Sequence, residues 1–365
     1  MEGPRTPRRE ETASLARLVD AVFMEGQQGR MFQCFPAFFA EENRENHLVF
    51  AEGDEMLSHV GMLYRWACLA GCTVRVACVG AVGTHEAYRG RGMATALFQA
   101  ACEKALADGV DFMMISGNRG LYQRVGAAEV GCDFKGVVDR QTAETFCASG
   151  IELTDFTEAD IPSCAAAYDS RLAHFIRPRE DWENLIQYGI VMCRSVCVQV
   201  VRRRGLFRGY FIAIKSDKEG VGRLIEFAGD DLDIARALAP LMASNGFDTM
   251  EFRLQTGDVL LKTLLEEAHV PLQPVATLGT LLLLNFGQLM ARLSPFFEQR
   301  VGSKAAALFS PVECDGRFAF GGGTPEVDRA TAARIIFGHP EQQDLPALPK
   351  GLLPAPTLWY GMNYV

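Results

Sequence analysis

"VGTHEAYRGRGMATALFQAACEKALADG", running from Val82 to Gly109, decides how the chain is read. Arg89-Gly90-Arg91-Gly92 alternates two arginines with two glycines directly ahead of an Ala-rich run. Glycine is among the poorest helix formers, and no Ser, Thr, Asp or Asn stands there to cap the first turn. Yet Ala94, Leu97, Phe98, Ala101, Cys102 and Ala105 share one stripe, which predicts a helix from Met93 to Asp108 stopped by Gly109. A helix start leaves N–H groups unpaired and carries partial positive charge, so a bound anion can take the place of a cap. Glycines let a phosphate approach the main chain. Each charge-assisted hydrogen bond from an arginine adds roughly 1.5–3 kcal/mol. Strand, basic glycine loop and uncapped helix together describe a pyrophosphate cradle.

Two common phosphate loops do not fit. No Gly-Lys-Ser/Thr is present, and Gly90-x-Gly92-x-x-Thr95 fails the last position of the dinucleotide loop. Arg/Gln-x-x-Gly-x-Gly/Ala does fit, as Arg89, Gly92 and Ala94, following the strand-like "CVGAVGTH". With "ISGNRGLYQRVGAAEVG" downstream, this stretch resembles the GNAT acyltransferases. The resemblance implies that Arg89, Gly90, Arg91, Gly92, Met93, Ala94 and Thr95 hold the pyrophosphate of acetyl-CoA as co-substrate. It implies that Val82, Gly83 and Thr84, at a bulge where parallel strands splay, bind pantetheine and the acyl oxygen, with Gly117 and Asn118 adding to the cofactor site. Tyr122 would stand near the thioester sulfur as proton donor. The chemistry needs such a group, because an amine attacks the acetyl carbonyl and the departing thiolate must be protonated; a phenol near 10 and a thiol near 8.5 suit the exchange.

Outward from that stretch, helical spacing marks Glu11 to Gly26 and a shorter helix around Phe35 to Glu42. Strand-like runs begin at His47, Ser58 and Cys72, and "VDFMMIS" and "AEVGCDFKGVV" follow the helix. From Ile151 the plan returns. "DIPSCAAAYDSRLAHFI" and "PREDWENLIQY" read as helices, "SVCVQVVRR", "LFRGYFIAIKSD" and "GRLIEFAGD" as strands, then "DIARALAPLMASNG" as helix and "FDTMEFRL" as strand. The junction "EFAGDDLDIARAL" puts Asp230, Asp231 and Asp233 where a diphosphate loop would lie; carboxylates there favour the helix and repel a diphosphate. The second half reads as degenerate scaffold. "VATLGTLLLLN", Val275 to Asn285, reads as a buried strand too short to span a bilayer.

The expected fold class is α/β (α+β): residues 1–150 an acetyl-CoA-binding domain, 151–285 a second, degenerate one, and 286–365 a small α/β domain. Tandem domains with a small sterol-carrier-like ending resemble the enhanced-intracellular-survival acetyltransferases, which acetylate amines including aminoglycosides. There the terminal carboxylate is the base, a role the resemblance carries to Val365, in the apolar ending Trp359, Tyr360, Met362, Tyr364 that predicts a docked tail. Asp315-Gly316 is a hairpin signal, and "FGGGTPE" at Phe320 reads as a turn. Arg202, Arg203, Arg204 and Arg208 read as a solvated edge, and His85 as a solvated loop residue.

Composition narrows the class. A net charge of -9 argues against a nucleic-acid binder. Eleven scattered cysteines, never Cys-x-x-Cys, read as reduced thiols rather than a disulfide framework or zinc site. The charged start has no apolar leader, so the expectation is a cytoplasmic protein that meets no membrane and binds no metal. The function expected is acetyl transfer to a primary amine of a small molecule, with a homo-oligomer left open. A coenzyme-A-responsive or lipid-binding module, and acetylation of protein lysines or N-termini, are the rival readings.

Overall fold

Two mixed sheets divide the chain, and each borrows a strand from the other's stretch of sequence. The computed structural model describes residues 1–307, 309–321, 323–341 and 348–365. β1 (Glu2–Arg5) leads to α1 (Thr12–Phe23) and α2 (Arg30–Cys34). The antiparallel strands β2 (His47–Glu52), β3 (Glu55–Leu69) and β4 (Cys72–Thr84) follow. Then come α3 (Met93–Ala107), β5 (Phe112–Ile115) and α4 (Gly120–Gln123). β5 lies parallel to β4, with α3 as the crossover between them.

β6 (Asp133–Asp139) and α5 (Arg140–Glu144) open the second unit, with β7 (Ile151–Asp155), α6 (Ile161–Asp169), β8 (Ala173–Phe175), α7 (Arg179–Tyr188) and β9 (Ile190–Val191). β10 (Arg194–Arg203), β11 (Leu206–Lys215) and β12 (Val221–Gly229) form its antiparallel meander. α8 (Asp231–Asn245) crosses to β13 (Thr249–Leu254), parallel to β12. The strand–helix–parallel strand step thus occurs twice, as the repeat predicts. α9 (Val259–Glu267), β14 (Gln273–Val275) and β15 (Thr280–Leu283) complete the pair of sheets. After them come α10 (Phe286–Val301), α11 (Ser303–Ala306), the hairpin β16 (Val312–Cys314) and β17 (Arg317–Ala319) at Asp315-Gly316, and α12 (Arg329–Phe337).

Strand order is β1-β2-β3-β4-β5-β15 in the first sheet and β14-β6-β13-β12-β11-β10-β7 in the second. Strand β6, read from the sequence as the last strand of the first half, pairs with β13 and β14 of the second. β15 returns from the second unit to pair with β5. The run Val275 to Asn285 is therefore not one strand. It breaks over residues 276–279, where Gly279 takes φ +89° and packs closely on the Ile115 carbonyl. The helix expected around Phe35 to Glu42 is also displaced. Asp20 accepts from Gly29 and Met31 N–H groups at 2.6 and 2.9 Å and starts α2 earlier. Pro36 then cannot supply a helical N–H, and only a 3-10 turn, Glu41–Asn46, follows. "AHF" within the predicted helix from Asp160 is strand β8, paired to the end of β3.

One face of the first sheet packs on α3 through Leu97, Phe98 and Ala101. The other is covered by α1, α10, α12 and the chain's last residues, with Val76, Cys78, Leu289, Phe337, Tyr360 and Val365 in one core. α8 and α9 cover one face of the second sheet. The tail lies where expected: Leu358, Tyr360 and Val365 are buried. The "FGGGTPE" turn includes Gly322, and the tail's Leu345–Ala347, both outside the described residues. Among the described residues no helix is long and apolar enough to cross a membrane, and the eleven cysteines are all unpaired.

Candidate active site

The start of α3 is built as its sequence demands. Gly92 is the N-cap, at φ 77° and ψ 0°, and no side chain caps it. Gly90 is also left-handed, at φ 80°, a conformation that costs a side chain about 1–2 kcal/mol. Nothing lies within 4 Å of where a Cβ on either glycine would stand. The cradle is open, and the N–H groups of Met93, Ala94 and Thr95 begin the helix at its floor. Arg89 and Arg91 are exposed and have no carboxylate partner among the described residues. Arg89 donates to the Thr84 carbonyl at 3.3 Å, and Arg91 stacks on Tyr88 at 4.8 Å.

Strand β4 loses its neighbour just before this loop. Its parallel pairing with β5 runs from Val76 with Phe112 to Val79 with Ile115 and then ends. Gly80 to Thr84 continue, held on the other side by β3, with an irregularity between His59 and Gly61. The bulge predicted at Val82, Gly83 and Thr84 centres one residue earlier, on Ala81 at φ +50°. Ser58 Oγ bonds the Gly83 carbonyl at 3.1 Å and the Thr84 hydroxyl at 2.8 Å, which fixes the strand's end. The edge of β4 turned toward the gap is left without a strand partner.

Tyr122 stands on the α3 side of the gap, buried, with its ring 5.2 Å from that of Phe98. Burial raises its phenol above the ordinary value, and the nearby Arg119 charge offsets part of the rise. Gly117 lies beside it, since a Cβ there would be 3.6 Å from the Tyr122 ring. Its carbonyl takes the Thr280 hydroxyl at 2.9 Å. Asn118 is turned away to Glu129 and Gln123, at 3.0 and 2.7 Å. Val365 reaches the opposite face of β4: a Cβ on Gly80 would lie 2.7 Å from its carbonyl carbon. Tyr122 and Val365, far apart in sequence, thus flank the same break in the sheet.

The tail is held there by a buried ion pair of the second unit. Arg177 grips Glu226 with two bonds of 2.7 and 2.6 Å. Glu226 also accepts the Met362 N–H at 3.1 Å, and Arg177 donates to Asn363 at 2.6 Å. Burial alone would raise the Glu226 carboxyl, but the Arg177 guanidinium and the Tyr210 hydroxyl bring it below its ordinary value. Sequence spacing carried no sign of this pair, because Arg177, Glu226 and Met362 meet only in the folded chain.

Two further features escaped the sequence reading. His47 Nδ1 and His59 Nε2 lie 2.8 Å apart, and His59 Nδ1 stands 2.7 Å from the Ala81 carbonyl at the bulge. Burial pushes the two imidazoles down, to about 4 and about 3. Arg119, not singled out before, donates to the Val82 carbonyl at 3.4 Å. His85 is exposed and caps a short turn, accepting the Ala87 N–H at 3.3 Å.

The second unit's counterpart of the cradle is closed. Asp230 caps α8 by accepting the Asp233 N–H at 3.0 Å. Asp233 is itself buried among Arg203, Arg208 and Arg236. Of the arginines expected to form a solvated edge, Arg203 and Arg208, with Arg202 on Asp160, are paired and partly buried, whereas Arg204 is exposed as expected. The acidic junction supplies the cap, and its counter-charges come from Arg203 on β10, Arg208 on β11 and Arg236 on α8 itself.

Residues 4–130 match the family described as Acetyltransferase (GNAT) domain. They form a GNAT domain. Most of the chain shares its fold with solved proteins at low identity. A GCN5-related N-acetyltransferase from Anabaena variabilis is similar at TM-score 0.60 and 14% identity, over 86% of this chain and 76% of that one. A conserved protein of unknown function from Enterococcus faecalis, a probable N-acyltransferase, is similar at 0.62 and 12%, over 78% and 73%. Eis1 from Mycobacterium abscessus is similar at 0.56 and 17%, over 79% and 75%. No curated protein matches the sequence. The GNAT domain supplies the open cradle, and the second GNAT-like unit and the small C-terminal region close on its far side.

Proposed function

We propose that the protein is an N-acetyltransferase that takes its acetyl group from acetyl-CoA and passes it to a primary amine. The observation that carries this reading is the open α3 terminus, with two arginines that have no carboxylate partner among the described residues, beside a β4 edge that has lost its partner. GNAT-family domains use acyl-CoA donors, which supply an activated thioester. The Met93, Ala94 and Thr95 N–H groups and Arg89 and Arg91 hold its diphosphate. The free edge from Gly80 to Thr84 binds pantetheine and orients the acyl oxygen.

The amine comes from the opposite face of the sheet. Its nitrogen bonds to the acyl carbon as the carbon–sulfur bond breaks. The Val365 carboxylate accepts the amine proton, and Tyr122 gives its proton to the leaving sulfur. A phenol raised by burial stays protonated at neutral pH, as a donor must.

Calorimetric titration with acetyl-CoA tests the cradle. One equivalent should bind to the wild type and none to Arg89→Glu/Gly92→Glu; no binding by the folded wild type would overturn the reading. Tyr122→Phe should keep the coenzyme and lose turnover by about 10²-fold or more. Gly80→Ala, or an extension beyond Val365, should displace the base and depress kcat with coenzyme affinity intact. Coenzyme binding without product from any amine would favour a sensor instead.

A further inference from the structure

The exposed face of the second sheet carries charges that its own residues do not balance. Lys135 on β6 stands directly opposite Arg253 on β13. Like charges facing each other across antiparallel strands are destabilising. The ion pairs on this face are Arg223 with Glu251 at 3.1 Å and a looser Arg253 with Asp133 at 3.8 Å. Lys135 is left without a carboxylate among the described residues. Asp133 is a weak counter-ion, because it is buried and already accepts the Trp359 indole N–H at 3.0 Å.

The tail lies over these strands and encloses a cavity of about 290 Å³, close to the lower size of small-molecule sites, roughly 300 Å³. Its far wall is aromatic, from Trp359, Tyr360 and Tyr364. The Tyr360 hydroxyl is buried and has no hydrogen-bond partner among the described residues. Its titratable neighbours are Cys78, Tyr364 and Tyr122, so the hydroxyl marks where the cavity wall meets the first sheet and is not itself a contact for a ligand in the cavity. The cavity also adjoins the break in the first sheet. Tyr360 packs on Gly279 beside Ile115, where β5 parts from β4, and Tyr364 lines a second cavity together with Val365.

We propose that this cavity receives a carboxylate belonging to the acceptor. The acceptor is a primary amine joined through an apolar or aromatic body to a carboxylate, which Lys135 and Arg253 bind while the amine points toward Val365. This rests on the acetyl-transfer reading. A polyamine is disfavoured, since Lys135, Arg223 and Arg253 outnumber Glu251 and the buried Asp133. The aromatic wall takes the body of the acceptor, and the like-charge pair is relieved when an anion sits between its members.

The test compares matched acceptors in which an aromatic ring separates the two groups: 4-(2-aminoethyl)benzoate, its carboxamide, phenethylamine and spermidine, each with saturating acetyl-CoA. The expected kcat/KM for the acid exceeds that of the amide by tenfold or more, mainly through KM. In Lys135→Glu/Arg253→Gln that ratio falls toward one while the melting temperature holds. A wild type that prefers the amide or spermidine, or a variant that keeps the ratio, overturns the proposal. Calorimetry with 4-(2-acetamidoethyl)benzoate and its carboxamide, without coenzyme, separates the two readings. If no amine is turned over, acetyl transfer fails, yet binding of the acid that the variant abolishes still supports the cavity. Equal or absent binding of acid and amide overturns it.

Discussion

Two helices begin after equivalent strands, and their first turns are opposites. α3 opens on Gly92 with no side-chain cap, beside Arg89 and Arg91, which have no carboxylate partner among the described residues. α8 opens on Asp230, with Asp233 buried among three arginines. Both helices are 15 residues long and lead into a parallel strand. The same geometry thus yields an uncapped, open terminus in one half and a sealed joint in the other. What differs is whether the chain's own carboxylates satisfy the helix terminus. An end satisfied internally is stable and inert; an end left unsatisfied is available to an anion.

If the second unit is scaffold, damage there should show first in stability. Glu226→Gln leaves the Arg177 guanidinium buried without a charge partner, which costs about 3–5 kcal/mol. Thermal unfolding should register the loss, and turnover should fall because Met362 and Asn363 lose their anchor beside Val365. A near-unchanged melting temperature would break the comparison. Damage to the GNAT cradle should behave in the opposite way. Arg89→Glu/Gly92→Glu should weaken acetyl-CoA binding by at least about 100-fold, from the loss of one charge-assisted contact and the two carboxylates set against the diphosphate. The left-handed Gly92 position limits the stability loss to about 1–2 kcal/mol.

A pH comparison sharpens the difference between the halves. Burial pushes the Asp133 carboxyl of the second sheet up to about 6 from its ordinary 3.8. Folding therefore favours its protonated form. That contribution is complete below pH 4 and is lost as the pH rises through about 6. Relative to Asp133→Asn, the wild type should lose up to about 3 kcal/mol between pH 4 and pH 7. Denaturant unfolding of both proteins across that range measures the difference; a flat difference would mean that the carboxyl titrates normally. His47 and His59 act in the reverse sense, since their depressed values remove stability as the pH falls below 6.5. They are common to both proteins and cancel. The smallest effect belongs to the sealed cap itself. Asp230→Ala should cost about 1 kcal/mol and create no affinity for acetyl-CoA, because Asp233 still repels a diphosphate.

Local signals in the sequence carried the cradle, the helix α3, the repeated strand–helix–strand plan and the acidic cap of α8. Each depends on residues within one or two turns of one another, where propensity, capping and charge act directly. The exchange of β6 and β15 between sheets was not legible in that way. A strand's periodicity tells which side is buried but not which neighbour buries it. The displaced α2 shows the same limit at short range, since Asp20 reaches nine and eleven residues ahead to start it.

By itself, then, the sequence determined that one helix terminus invites an anion and that its counterpart refuses one, because both properties reside in a few adjacent residues. Only the tertiary structure decided that Tyr122 and Val365 flank one break between β4 and β5. Only it turned Lys135 and Arg253 onto a shared cavity roofed by the tail. Those juxtapositions arise from sheet register, from the buried Arg177–Glu226 pair and from Gly80 making room for Val365. Each joins groups dozens to hundreds of residues apart, and no spacing along the chain encodes it.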